Sequence, residues 1–79
     1  MDNDASEDLR TLMRVRALVK AGTAKAVRDA AGLGVTEMAR AARVSPRSVY
    51  RWERGLAQPH GPAALRYGHL LTELMRGPP

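Results

Sequence analysis

An all-α fold, a small bundle of about five helices with no strand, is what this 79-residue sequence predicts. Apolar residues recur at three- and four-residue spacing, and strict alternation never persists for a strand length. Glycine, or a Ser-Pro step, punctuates the pattern between runs. Ser6 reads as an N-cap, with Glu7 and Asp8 in the first turn, where the helix dipole favours acids. The helix it opens runs to about Ala21, with Leu9, Leu12, Met13, Val15, Leu18 and Val19 as its apolar set. Lys20 lies near its end and Gly22 closes it. Thr23 then caps a second helix, Ala24 to Ala31, which Gly32 ends. A third helix, from Val35 or Thr36 to Ala42, turns Met38, Ala39 and Ala42 inward, and Arg43-Val44 forms a turn. Ser45-Pro46 starts the fourth: a capping hydroxyl, then proline at the first helical position, where its missing N–H costs nothing. That helix continues to about Arg54 and stops at Gly55. After a loop over Leu56 to Gly61, Pro62 opens a last helix with Leu65, Leu70, Leu71, Leu74 and Met75 as core contacts. Gly77-Pro78-Pro79 is a frayed tail. The chain thus divides into an acidic N-terminus with an accessory helix (1–22), a main domain (23–76) and the tail (77–79).

A chain this short sits near the size at which one core barely suffices. It has no cysteine, so neither disulfides nor a thiolate metal site adds stability. Its apolar runs are too short to span a membrane. The N-terminal MDNDASED lacks the basic and apolar regions of a secretory signal, which makes the cytoplasm the expected compartment. The formal charge is +5, but it is unevenly spread. Asp2, Asp4, Glu7 and Asp8 hold half of the acids; from Leu9 onward, thirteen Lys and Arg face four Asp and Glu. Such an excess raises affinity for polyanions, of which nucleic acid is the commonest in a cytosol. A solvated, arginine-preferring surface would give the same count.

The segment from Thr36 to Gly55, TEMARAARVSPRSVYRWERG, carries the most information. It reads as two short helices joined by a tight turn. Arg47, Arg51 and Arg54 are spaced i, i+4, i+7 and share one face of the second helix, while Val49, Trp52 and Leu56 form an apolar stripe on the other. A helix anchored along one side and presenting guanidinium groups along the other suits a DNA major groove.

From about Gly22 to Met75 the chain resembles the lambda-repressor-like (Cro/C1, XRE-type) helix-turn-helix family. The strongest stretch is AKAVRDAAGLGVTEMARAARVSPRSVYRWERGLAQP, and GPAALRYGHLLTEL resembles the closing helix of actinobacterial and phage members. The resemblance implies a partly buried ion pair between Arg28 and Glu53. It places Ala39 where the two motif helices cross, with Val44, Val49 and Trp52 filling the core between them. Two positions depart from the family pattern. Arg43 stands where a left-handed glycine is usual, at a cost of roughly 1 kcal/mol. Gly34 and Val35 replace a polar cap and a phosphate-gripping glutamine, leaving backbone N–H groups and Thr36 for that contact.

The docking geometry of such helices puts Ser45, Arg47 and Ser48 nearest the base edges. Arg47 is the first choice for readout, because a guanidinium matches guanine O6 and N7 with two hydrogen bonds. Arg51 reaches either a base or a phosphate; Tyr50 reaches a thymine methyl with its ring or a phosphate with its hydroxyl. Thr36, Arg40, Arg43, Ser45 and Arg54 are the expected phosphate contacts. The expected partner is double-stranded DNA, bound by a repressor- or Cro-like transcriptional regulator, with homodimerisation through the N-terminal or C-terminal helix. The N-terminal helix serves either as that dimer contact or only as packing for the core.

No nucleophile–base pair, paired carboxylates or Gly-rich phosphate loop supports an enzyme, and no cofactor, metal or small-molecule ligand is expected. His60 and His69 lack partners at metal-ligand spacing and read as loop or surface residues. The competing class is a protein-interaction module on the same fold: an antitoxin, an anti-repressor or a polymerase-contacting activator. Such a module would expose apolar or acidic residues where this chain has Arg47, Arg51 and Arg54.

Overall fold

The computed structural model describes residues 3–77. Pro78 and Pro79 of the expected tail, and Met1 and Asp2 of the acidic N-terminus, lie outside the described residues. Five helices follow in order: α1 Asn3–Lys20, α2 Thr23–Ala30, α3 Val35–Ala42, α4 Pro46–Glu53 and α5 Gly61–Arg76. There is no strand among the described residues. The long helices α1 and α5 pack on each other, α2 and α3 lean on α5, and α4 packs against α3. One core results, from Val15, Ala24, Met38, Ala39, Ala42, Val49, Trp52, Ala64, Tyr67 and Leu71.

The helix boundaries show which local signals prevail. α1 starts at Asn3, so Ser6 lies inside the helix rather than capping it. No breaker separates Asn3 from Glu7, and the ladder extends upstream by most of a turn. Gly22, not Thr23, is the N-cap of α2, in a left-handed conformation (φ 80°) without a side-chain cap. Thr23 is already the first helical residue. Ala31 falls just beyond the end of α2, and Arg54 caps α4 rather than continuing it. α5 opens at Gly61, one residue before Pro62, with His60 as its N-cap.

On the two long helices, three expected core residues are exposed instead: Leu9 and Met13 on α1, and Met75 near the end of α5. For α1 the cause is Gly68 of α5. A Cβ there would lie 2.3 Å from Val15 Cγ2 and 2.9 Å from Thr11 Cγ2, so the bare glycine lets the two helices touch along a Thr11–Val15 line. That contact rotates α1, buries Thr11 and turns Leu9 and Met13 to solvent. On α5, Tyr67 is fully buried beside Leu71, whereas Leu65, Leu70 and Leu74 are half-buried. Tyr67 meets Trp52 with ring centroids 5.1 Å apart and a tilt of 47°, a favourable aromatic geometry that joins α5 to α4. No helix among the described residues is long and apolar enough to cross a membrane.

Candidate nucleic-acid interface

α3 and α4, eight residues each, are joined by a turn in which Arg43 adopts a left-handed backbone (φ 59°, ψ 45°). Two turn amides bond back into α3: Val44 N–H to the Ala39 carbonyl at 2.9 Å, and Arg43 N–H to that of Arg40 at 3.1 Å. This paired closure satisfies two of the carbonyls that every helix end leaves open. Ala39 is fully buried, and Val44 is half-buried.

Ser45 caps α4. Its hydroxyl accepts the Ser48 N–H at 3.0 Å and donates to Ser48 Oγ at 2.8 Å. The two hydroxyls thus share one proton within the cap, and the other hydroxyl proton stays available to an outside acceptor. Val49 and Trp52 are buried and fix the inner side of α4. Leu56, expected to extend their stripe, is 58% exposed. Gly55 turns the chain with φ 73°, and Leu56 N–H bonds back to the Arg51 carbonyl at 2.8 Å, so the helical spacing ends before reaching it.

On the outer side Arg47 is exposed and has no bond to the rest of the described chain. The Arg54 guanidinium lies 4.4 Å from the centre of the exposed Tyr50 ring, a cation–π stack holding both side chains together. Arg51 is half-buried and donates Nη2 to the Leu56 carbonyl at 3.3 Å, so it leans toward the helix end rather than standing beside Arg47. Arg40 and Arg43 are exposed around the turn. Thr36 is exposed in the first turn of α3, but the Gly34 N–H beside it is already bonded to Glu37 Oε1 at 2.8 Å. Glu37 therefore brings a carboxylate to the N-terminus expected to receive a phosphate. The spacing Gly34 to Glu37, an N-cap and its third helical residue, was a legible signal for that contact.

Beneath this surface Arg28 of α2 grips Glu53 of α4 with two bonds, Nε to Oε2 at 2.7 Å and Nη2 to Oε1 at 2.9 Å. Its remaining Nη1 donates to the Leu33 carbonyl at 2.8 Å. The side chains are only 9% and 5% exposed, and the hydrogen bond from Glu53 raises the Arg28 pKa above the ordinary arginine value. The nearby Tyr67 hydroxyl is buried with no partner among the described residues. Burial, reinforced by the charge of Glu53, pushes its ionisation far above the usual phenol range.

Sequence reasoning missed Arg66. From α5 it donates Nε to the Ala42 carbonyl at 3.2 Å and Nη2 to the Arg43 carbonyl at 2.8 Å. No local pattern announces a bond to a turn so far back in the chain. His60 and His69 are both exposed, and the described residues contain no acid, histidine or cysteine cluster that could hold a metal.

Two short helices with a tight turn, the second clamped on one side and cationic on the other, define a helix-turn-helix protein. A family model described as "Helix-turn-helix domain" matches residues 21–72, and the chain belongs to that family. Neither a curated protein nor a solved structure gives a significant match.

Proposed function

We propose that the protein is a sequence-specific, double-stranded DNA-binding regulator of transcription, repressor- or Cro-like in action and of the lambda-repressor-like type. The observation that carries this reading is the two-sidedness of α4. Val49 and Trp52 are sealed in the core, while Arg47, Tyr50 and Arg54 face solvent without an acidic partner among the described residues. Residues 23–76 act as the DNA-binding unit. Arg47 and Ser48 read base edges from the N-terminal half of α4, with Tyr50 beside them. Arg54, held on Tyr50, meets the backbone together with Arg40, Arg43 and Thr36. Arg51 reaches DNA by releasing the Leu56 carbonyl, and Ser45 contacts a phosphate at the start of α4. Two copies bind a palindromic site with half-sites about 34 Å apart. They pair through the N-terminal or C-terminal helix, at the nucleoid in the cytoplasm.

Selection of bound sites from a random duplex pool tests this directly. A symmetric motif should emerge, and affinity for it should fall steeply with salt as phosphates are neutralised. Recovery of no motif, with binding absent even in dilute buffer, would sink the proposal.

A further inference from the structure

We propose that Arg66, which takes no place in the surface of α4, is a positioning residue that sets the angle of α4 by holding the turn before it. The inference rests on the DNA-binding reading above, although its structural half does not. The end of α3 presents several carbonyls with no helical partner. Those of Ala39 and Arg40 are bonded by the turn's own amides, and those of Ala42 and Arg43 by Arg66. One guanidinium thus bridges the last residue of α3 and the left-handed residue of the turn.

The need for such a clamp follows from Arg43. A left-handed glycine would hold the turn without strain, whereas an L side chain with φ 59° tends to relax toward φ < 0. That relaxation would swing the Arg43 carbonyl away and re-aim α4, because only Arg43, Val44 and Ser45 separate the two helices. The planar fork of Arg66 resists this, since both acceptors must keep their relative orientation to be bonded at once. Its position adds a positive charge at the C-terminal end of α3, where the helix dipole favours one. The clamp reaches from α5, whose Tyr67, the next residue, packs against Trp52 of α4. α5 therefore fixes α4 at both ends: by ring packing under Trp52 and by Arg66 at the turn.

The test uses Arg66→Ala and Arg66→Lys, each in the full chain at a temperature where circular dichroism shows it fully folded. Two quantities are read: affinity for the selected duplex and for a random duplex, and amide exchange of Val44 by NMR. Arg66→Ala should lose about tenfold in affinity for the selected duplex, change less than twofold on random duplex, and exchange its Val44 amide at least tenfold faster. Arg66→Lys keeps the stem and the charge but not the fork, and should recover little of either. Full recovery by lysine, or an equal loss on both duplexes, would make Arg66 a phosphate contact and overturn the proposal. Unchanged Val44 exchange in Arg66→Ala would overturn it too. If the wild-type chain binds no duplex, the DNA-binding reading fails by itself, and Val44 exchange still decides whether Arg66 holds the turn.

Discussion

Removing one partner of the Arg28–Glu53 pair should be far more damaging than removing both. The two charges meet with paired bonds of 2.7 and 2.9 Å and side-chain exposures of 9% and 5%, so neither can turn to water when its partner is lost. Deleting one member of such a buried pair costs about 3–5 kcal/mol, against about 0–1 kcal/mol for an exposed pair. The two single variants should also differ. Glu53→Gln leaves Arg28 still bonded to the Leu33 carbonyl and 3.3 Å from Asp29, whereas Arg28→Met leaves the Glu53 carboxylate with no cation. Arg28→Met should therefore lie at the upper end of the range and Glu53→Gln at or below the lower. For a domain of this size each kcal/mol shifts Tm by roughly 4–8 °C. The double replacement Arg28→Met/Glu53→Leu should recover most of the loss, because a well-packed apolar pair avoids both desolvation costs. Urea melts of the four proteins at neutral pH give every quantity required. Single-variant losses below about 1 kcal/mol, or a double variant no better than the worse single one, would refute the reasoning.

Gly68→Ala places a methyl carbon 2.3 Å from Val15 Cγ2 and should cost about 1–3 kcal/mol by prising α1 from α5. Adding Val15→Ala should return part of that stability in thermal melts, and a neutral Gly68→Ala would mean the two helices can part freely. Tyr67→Phe removes a buried hydroxyl that has no partner among the described residues and should leave stability unchanged or raised. Because the folded pKa of Tyr67 is raised, its contribution is whole below the unfolded value of about 10 and declines above it by about 1.4 kcal/mol per pH unit. The phenylalanine variant should lose that alkaline slope in urea melts at pH 10–11; an identical slope would show that Tyr67 ionises freely. Arg47→Ala should weaken binding to the selected duplex by about 1–3 kcal/mol and relax preference at one base position. An equal loss on every sequence would assign Arg47 to phosphate alone.

Much of this fold was legible because its signals are local. The Ser45-Pro46 start, the inward set Met38, Ala39 and Ala42, and the Val49–Trp52 stripe each depend on residues within one or two helical turns. The same local rules went astray where a residue distant in sequence intervened. Leu9 and Met13 have the periodicity of core residues, but the orientation of α1 was decided by the missing side chain at Gly68. Leu56 sits at the right spacing for the α4 stripe, yet the turn at Gly55 ends the helix that would have carried it inward.

The sequence by itself determined the five helices, the two-sided character of the segment 46–54 and the cationic excess around it. Periodicity, capping and charge are properties of neighbours along the chain, and they survive without knowledge of what packs where. Only the tertiary structure decided that Arg66 holds the carbonyls of the turn, that Arg51 leans to the Leu56 carbonyl and that Arg54 rests on Tyr50. A guanidinium on a long stem can reach many acceptors, and which one it takes depends on the backbone that packing brings within 3 Å.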